Sequence, residues 1–261
     1  GLTMELVKLT SDSEPLRFTL GKVGYFIQYD ELTRANMDFM HDVCYEGAFK
    51  LKESFINGKP EGLKVFGTQW KTIYEALSKL PPDVQKSWFA FDHFYSDVAF
   101  PEALPIVFKK KPKQLFDIGG NTAKWALSCF KFDPDVKVTI IVLDPSSVFP
   151  KGADAVWMSQ FLDCFALPEI ESILRKVAAA VDANCDVYVL EPFWDQQKYT
   201  AAAYSLHATS MYFCNMANGN SKMYRSGEMV EAIERAGFKL EEAINNLGAN
   251  AYSLLRFRKV K

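Results

Sequence analysis

The densest chemistry in the chain lies between Gln114 and Ala126, which reads QLFDIGGNTAKWA. A short apolar strand at Gln114–Ile118 runs into a tight turn at Gly119 and Gly120, and a helix follows from Thr122 to Phe130. Glycine suits such a turn because a Cβ would keep a ligand away from the backbone. Asp117 ends the strand, where its carboxylate can accept hydrogen bonds from a ligand ammonium. The helix N-terminus offers free N–H groups to a ligand carboxylate.

Missing residues narrow the ligand further. A GxGxxG dinucleotide fingerprint starting at Gly119 needs glycines at 121 and 124, and Asn121 and Lys124 stand there instead. The phosphate-cradling GxxxxGKS or GxxxxGKT loop is absent as well. A pyrophosphate is poorly served, which disfavours an NAD-dependent oxidoreductase.

The elements around this turn fall into two regions. Residues 1–110 are aromatic and helical in pattern. Leu16 to Gln28 places two apolar runs around Gly21-Lys22, which predicts a hairpin. Met37, Met40, Val43, Cys44 and Phe49 predict a helix over 33–53, and Thr68 to Leu80 predicts another, stopped by Pro81-Pro82. The aromatic stripe from Val84 to Phe100 reads as core. Residues 111–261 alternate strands and helices. Strands are expected at 136–143, 154–159 and 186–190, with helices at 168–181 and 226–236. A closing pair of strands at 239–245 and 252–259 can form an antiparallel hairpin at a sheet edge.

Composition limits the partners. Thirty basic residues against 32 acidic ones give a net charge of -2, which argues against a nucleic-acid surface. The run Lys109 to Lys113 is short, broken by Pro112, and reads as a solvated linker. Cys44, Cys129, Cys164, Cys185 and Cys214 form no CxxC pair, so no metal site and no disulfide framework are expected. No apolar run is long enough to span a membrane and no signal peptide opens the chain, so the cytoplasm is the expected location.

The glycine turn is similar to the cofactor-binding motif of class I S-adenosylmethionine-dependent methyltransferases. The segment Gly152 to Phe165 (GADAVWMSQFLDCF), the strand end Val189-Leu190-Glu191-Pro192 and the stretch from Asn218-Gly219-Asn220 to Ala236-Gly237-Phe238 resemble the small-molecule O-methyltransferases that carry an N-terminal winged-helix dimerisation domain. Lys52 to Thr72 resembles their helical linker, and Leu16 to Gln28 their wing. The resemblance covers almost the whole chain. It implies an α/β fold: a Rossmann-like, doubly wound, mostly parallel sheet with a reversed last strand, preceded by a helical region and a partial winged helix. The implied domains are a dimerisation and acceptor-lid region at 1–110 and an S-adenosylmethionine-binding domain at 111–261. The N-terminal region is expected to dock away from the cleft, partly against a second copy in a homodimer. Asp117, Gly119, Gly120, Asn121, Asp144, Ser159, Gln160, Phe165 and Tyr95 would line the cofactor.

The departures bear on catalysis. Where the family has a His-Asp-Trp triplet whose His is the general base, this chain has Asp163-Cys164-Phe165. Asp163 can act as a base only if its pKa rises, since an ordinary Asp near 3.9 is weak against a phenol near 10. Glu191 matches a family carboxylate that orients the base, and a second family glutamate is replaced around Met223. His207, in the segment that supplies the family's acceptor pocket, is the reserve base. The ten positions 144–153 are too few for the helix and strand the family places there. A break in the chain between Val138 and Ser146 is the reading favoured for that stretch. Two functions follow as expectations: methyl transfer to a hydroxyl of a small aromatic or polyketide-like acceptor, or ligand binding on the same fold without catalysis.

Overall fold

The computed structural model describes residues 1–142 and 149–260. The chain opens with β1 (Val7–Ser11) and β2 (Arg17–Leu20), paired antiparallel with Val7 opposite Leu20. The hairpin expected around Gly21-Lys22 is not formed. Strand β2 turns back to the upstream strand, and Gly21 instead precedes helix α1 (Lys22–Tyr29). Val23, Phe26 and Ile27 recur at helical spacing, and a Cβ at Gly24 would overlap the carbonyl oxygen of Leu6. The helix therefore packs directly on the backbone that leads into β1.

A long helical run follows. It comprises α2 (Glu31–Asp38), a π-helical stretch at Phe39–Tyr45, a 3-10 turn at Glu46–Lys50 and α3 (Leu51–Asn57). Asp30 caps it by accepting from the Thr33 amide at 2.7 Å. The expected apolar stripe is only half right. Val43 and Cys44 are buried, but Met37, Met40 and Phe49 are exposed. The π stretch widens the turn, so the buried face follows Ala35, Phe39, Val43 and Gly47 at intervals of four. Next come α4 (Ile73–Ala76), α5 (Pro82–Ser96, with Pro82 at the tolerated first turn) and α6 (Phe100–Val107).

The second region holds β3 (Gln114–Ile118), α7 (Lys124–Phe132), β4 (Lys137–Ile141), β5 (Ala155–Ser159), α8 (Leu167–Ala180) and β6 (Asp186–Glu191). After it come α9 (Thr200–Ala208), α10 (Ser210–Tyr212), α11 (Ser226–Arg235), β7 (Phe238–Leu247) and β8 (Tyr252–Lys259). The sheet order is β4-β3-β5-β6-β8-β7. The first four strands are parallel, and β8 runs against both β6 and β7. Both faces are covered. Phe116, Val156, Met158, Val187, Val189 and Phe257 pack toward α8 and α11, while the alternate residues Leu115, Trp157, Tyr188 and Leu254 pack toward α6 and α7.

The chain passes from β4, on one side of β3, to β5 on the other, with no helix among the described residues between them. Asp144 and the last part of the expected break window, 143–146, lie outside the described residues, while its first part runs unbroken through β4. A third core joins Phe39, Val43, Leu63, Ile73 and Val84 to Phe213, Ala217 and Met223. Buried Asn215 locks it, accepting from Ser54 Oγ at 2.7 Å and donating to the Gly47 carbonyl at 2.8 Å. Cys164 and Trp194 pack against the same core. The helices before Val84 therefore roof the carboxyl edge of the sheet and do not dock away from it. Among the described residues, β1, β2 and α1 contribute no side chain to the three cores.

Candidate active site

The parallel strands β3, β5 and β6 end at one edge of the sheet, and the antiparallel β8 begins there, with Glu191 opposite Ser253. Along this edge lie buried polar atoms with no hydrogen-bond partner among the described residues: Asp117 Oδ2, Ser159 Oγ, Gln160 Oε1, Glu191 Oε2, Tyr252 OH and Ser253 Oγ. An unpaired buried polar atom costs about 1–3 kcal/mol. Six such atoms fall at this one edge, which makes it the candidate site.

The turn after β3 shapes one end of that edge. Gly119 has φ +76°, and a Cβ there would overlap the Phe161 ring. A Cβ on Gly120 would lie 2.5 Å from Asp117 Oδ2, so the carboxylate sits directly beneath the turn. Burial pushes the Asp117 carboxyl up to about 7. Gln160, at the matching turn after β5, also has positive φ and donates its amide to the Leu190 carbonyl at 3.0 Å.

The other end is a carboxylate pair. Glu191 Oε1 accepts from the amides of Phe161 and Leu162 at 3.0 and 2.9 Å, which fixes the short 3-10 turn Leu162–Cys164. That turn buries Asp163 beside Glu191. Burial pushes Asp163 up to about 7. The Cys164 thiol, which donates to Asp163 Oδ1 at 3.5 Å, pulls the other way, and the carboxylate of Asp92 adds to the rise. Glu191 is raised well above its usual range by burial and then by Asp163. Asp163 does not cap the following helix. Glu169 serves that end, accepting from the Ala166 amide at 2.8 Å.

The other predicted residues are spread around this core. Phe165 packs edge-on to Phe161 at 5.0 Å, and its carbonyl accepts from Tyr224 OH at 2.7 Å. Asn121 donates to Asp92 on α5 at 2.8 Å. Tyr95 hydrogen bonds Asn36 at 2.9 Å and packs against Phe91. His207 is not brought to the carboxylates. It is exposed, stacks on Trp194 at 4.9 Å, and lines a separate surface groove of about 520 Å³ with Met211, Cys214 and Lys222.

Several residues at the site carried no signal in the sequence. Tyr74 lies beside the Cys164 thiol on the roof side; Asn218, by contrast, belongs to the Asn218-Gly219-Asn220 stretch of the resemblance and donates to the Cys164 carbonyl at 2.6 Å. Burial and Asp163 hold that thiol well above its usual range, which favours the neutral thiol over the thiolate. Tyr252 and Asp92 were equally silent. The Asp-His pair at 92–93 inside an aromatic stripe was the available clue for the latter. Among the described residues no group of His, Cys, Asp and Glu can hold a metal ion. No helix there is long and apolar enough to cross a membrane.

Neither protein-family models nor curated proteins match this chain. Solved structures do. The mitomycin 7-O-methyltransferase MmcR superposes with a TM-score of 0.74 at 14% identity, covering 99% of this chain and 80% of that one. The O-methyltransferase NcsB1 from neocarzinostatin biosynthesis, solved with S-adenosylmethionine and 2-hydroxy-5-methyl naphthoic acid, gives 0.72 at 15% identity, covering 99% and 82%. Human N-acetylserotonin methyltransferase, solved with S-adenosylmethionine, gives 0.67 at 12% identity, covering 100% and 81%. The chain has the fold of these small-molecule methyltransferases.

Proposed function

We propose that the chain is an S-adenosylmethionine-dependent methyltransferase acting on a hydroxyl of a small aromatic or polyketide-like acceptor. The observation that carries this is the row of buried, partnerless polar atoms along the carboxyl edge, running from Asp117 to the Asp163–Glu191 pair. The residues fit the cofactor. Asp117 offers a free carboxylate oxygen beneath the turn, and Gly119 and Gly120 leave the backbone open to close approach. Asp117, Gly119, Gly120, Ser159 and Gln160 would hold it, with Phe165 and Tyr95 in supporting positions. When bound, the cofactor supplies a methyl already activated by its sulfonium. Likeness of fold to enzymes solved with this cofactor supports the assignment.

The protein's own part is to orient the acceptor oxygen and to take its proton. Asp163 is the base. At an ordinary Asp pKa the gap to a phenol is about 6 units, and at about 7 it is about 3. Glu191 is the positioning partner. It holds the turn that carries Asp163, and the nearness of the two buried carboxyls makes it costly to ionise both. Cys164, on the same turn, donates to Asp163, and Tyr74 lies beside that thiol from the roof. Exposed His207 is the lesser candidate.

The test is transfer of a labelled methyl from S-adenosylmethionine to a panel of phenols and polyketide acids, with a product heavier by one methylene. A chain that binds S-adenosylhomocysteine but methylates no member of the panel supports the second reading, a ligand-binding protein on this fold. That reading is favoured by the replacement of the family's histidine with Asp163.

A further inference from the structure

Two residues of the cofactor turn hold a backbone conformation that a Cβ disfavours. Asn121 has φ +40° and Ala123 has φ +66°. Residues other than glycine persist in this left-handed region only where their surroundings fix them, and Ala has no polar side chain to bond locally as Asn has. Inside the turn the Ala123 amide donates to the Gly120 carbonyl at 2.7 Å. The rest of the hold comes from α5 and the residue that ends it. Asp92 Oδ2 accepts from Asn121 Nδ2 at 2.8 Å, and His93 Nε2 lies 3.1 Å from Thr122 Oγ1. Asp97 Oδ2 accepts from Lys124 Nζ at 2.7 Å, and its other oxygen lies 3.7 Å from His93 Nδ1. The three ties land on residues 121, 122 and 124, which bracket Ala123. The helix is itself anchored away from the turn. Trp88 Nε1 donates to Tyr212 OH at 2.8 Å, Phe91 stacks on Phe39 at 4.0 Å, and Asn250 Nδ2 donates to the Phe94 carbonyl at 3.4 Å. A helix fixed to the roof and to the β7–β8 hairpin tip can hold the turn from outside.

We propose that Asp92, His93 and Asp97 are positioning residues that hold the turn at 119–123 in the shape that meets the cofactor. The inference rests on the reading of this turn as an S-adenosylmethionine site. Each tie lies at the surface, and exposed polar pairs contribute little to global stability. Their effect is local. They keep Asn121 and Ala123 in the left-handed region before the ligand arrives, so binding loses no affinity to rearrangement of the turn. The three side chains act through Asn121, Thr122 and Lys124 and need not touch the ligand. Glycine would give the same turn without help, which makes the clasp the counterpart of the non-glycine residues at 121 and 123.

The experiment is calorimetric titration of the full chain with S-adenosylhomocysteine. The double variant His93→Ala, Asp97→Ala cuts two of the three ties from the helix and leaves every residue of the turn in place. Ala123→Gly is made alone and in that background, because glycine takes up positive φ unaided. The expected result is a loss of affinity on the order of tenfold in the double variant, with most of it recovered when Ala123→Gly is added. Ala123→Gly alone should stay within about threefold of the parent. A loss caused by general loosening of the fold would not be recovered this way, since a glycine makes the unfolded chain freer. Thermal melts show which variants are folded. Thr122→Val with Lys124→Met cuts the same two ties from the side of the turn, carries the same expectation, and replaces the first pair if that does not fold. Unchanged affinity on cutting the ties, or a loss that Ala123→Gly does not recover, overturns the proposal while the cofactor assignment stands. Failure of the parent chain to bind S-adenosylhomocysteine overturns both.

Discussion

Asp163 is the proposed base, and the proposal makes its side chain the one on which the methylation rate depends. Asp163→Asn and Asp163→Ala should each lower the methylation rate on the order of a hundredfold or more, with S-adenosylhomocysteine affinity little changed. Parent-like rates in either variant would leave positioning as the only mechanism. The parent rate should rise as pH rises through about 7, where the carboxylate ionises. Stability should move the other way. The folded-state pKa of Asp163 is raised, so between about 4 and about 7 the folded chain binds more protons than the unfolded one, and stability falls as pH rises through that window. Asp117 adds to the same slope. Asp163→Asn should therefore melt higher than the parent at pH 8, a sign that the site carries charge at the expense of stability. Thermal melts at pH 5 and 8 read this directly. At this scale the glycine turn was legible because its chemistry is local: a strand, two glycines and a helix are consecutive in the chain. Tyr74, Asp92 and Tyr252 were not. Each reaches the site from an element distant in sequence, and nothing local distinguishes an aromatic that packs from one whose hydroxyl faces a cleft.

At the scale of elements, the alternating apolar strands and the α8 stripe were read correctly because burial on both sheet faces leaves few other arrangements. The N-terminal elements were read less well. A π-helical stretch shifts the phase of the helix over 31–57, and Gly21 serves close packing where a turn was expected. The far end of β6 shows how the sheet is tied together. Buried Asp186 accepts from Arg256 at 3.2 Å, from Arg258 at 2.8 Å and from Lys110, joining β6 and β8 to the segment that leads into β3. Its carboxyl is held low by these partners in spite of burial. Asp186→Ala removes the shared anion and leaves cations facing one another. A loss of about 3 kcal/mol in urea unfolding is expected, with the charges of Arg256 and Arg258 partly relieved by water. A change under about 0.5 kcal/mol would mean that the pairs are worth no more than surface ones.

At the scale of the whole molecule, the roof and the sheet are joined by Asn215 and by the packing of Phe213 and Met223. The β1–β2 pair and α1 instead expose Leu9, Phe18, Leu20, Val23, Phe26 and Tyr29. An apolar face of this kind is where a second copy is proposed to dock. Sedimentation at micromolar concentration should give a dimer, and Phe18→Glu with Phe26→Glu should give a monomer that still binds cofactor. A parent that sediments as a monomer removes the dimer from the account.

The central claim is that the turn at Gly119 holds S-adenosylmethionine. It is tested most directly by titrating S-adenosylhomocysteine, and separately NAD, into the parent chain and into Gly119→Val. The valine would be strained at φ +76° and driven into Phe161. Melting of the variant confirms that it is folded. The account predicts saturable binding of S-adenosylhomocysteine by the parent, none of NAD, and a loss on the order of a hundredfold in the folded variant. Binding of NAD alone, or unchanged S-adenosylhomocysteine affinity in Gly119→Val, would contradict it.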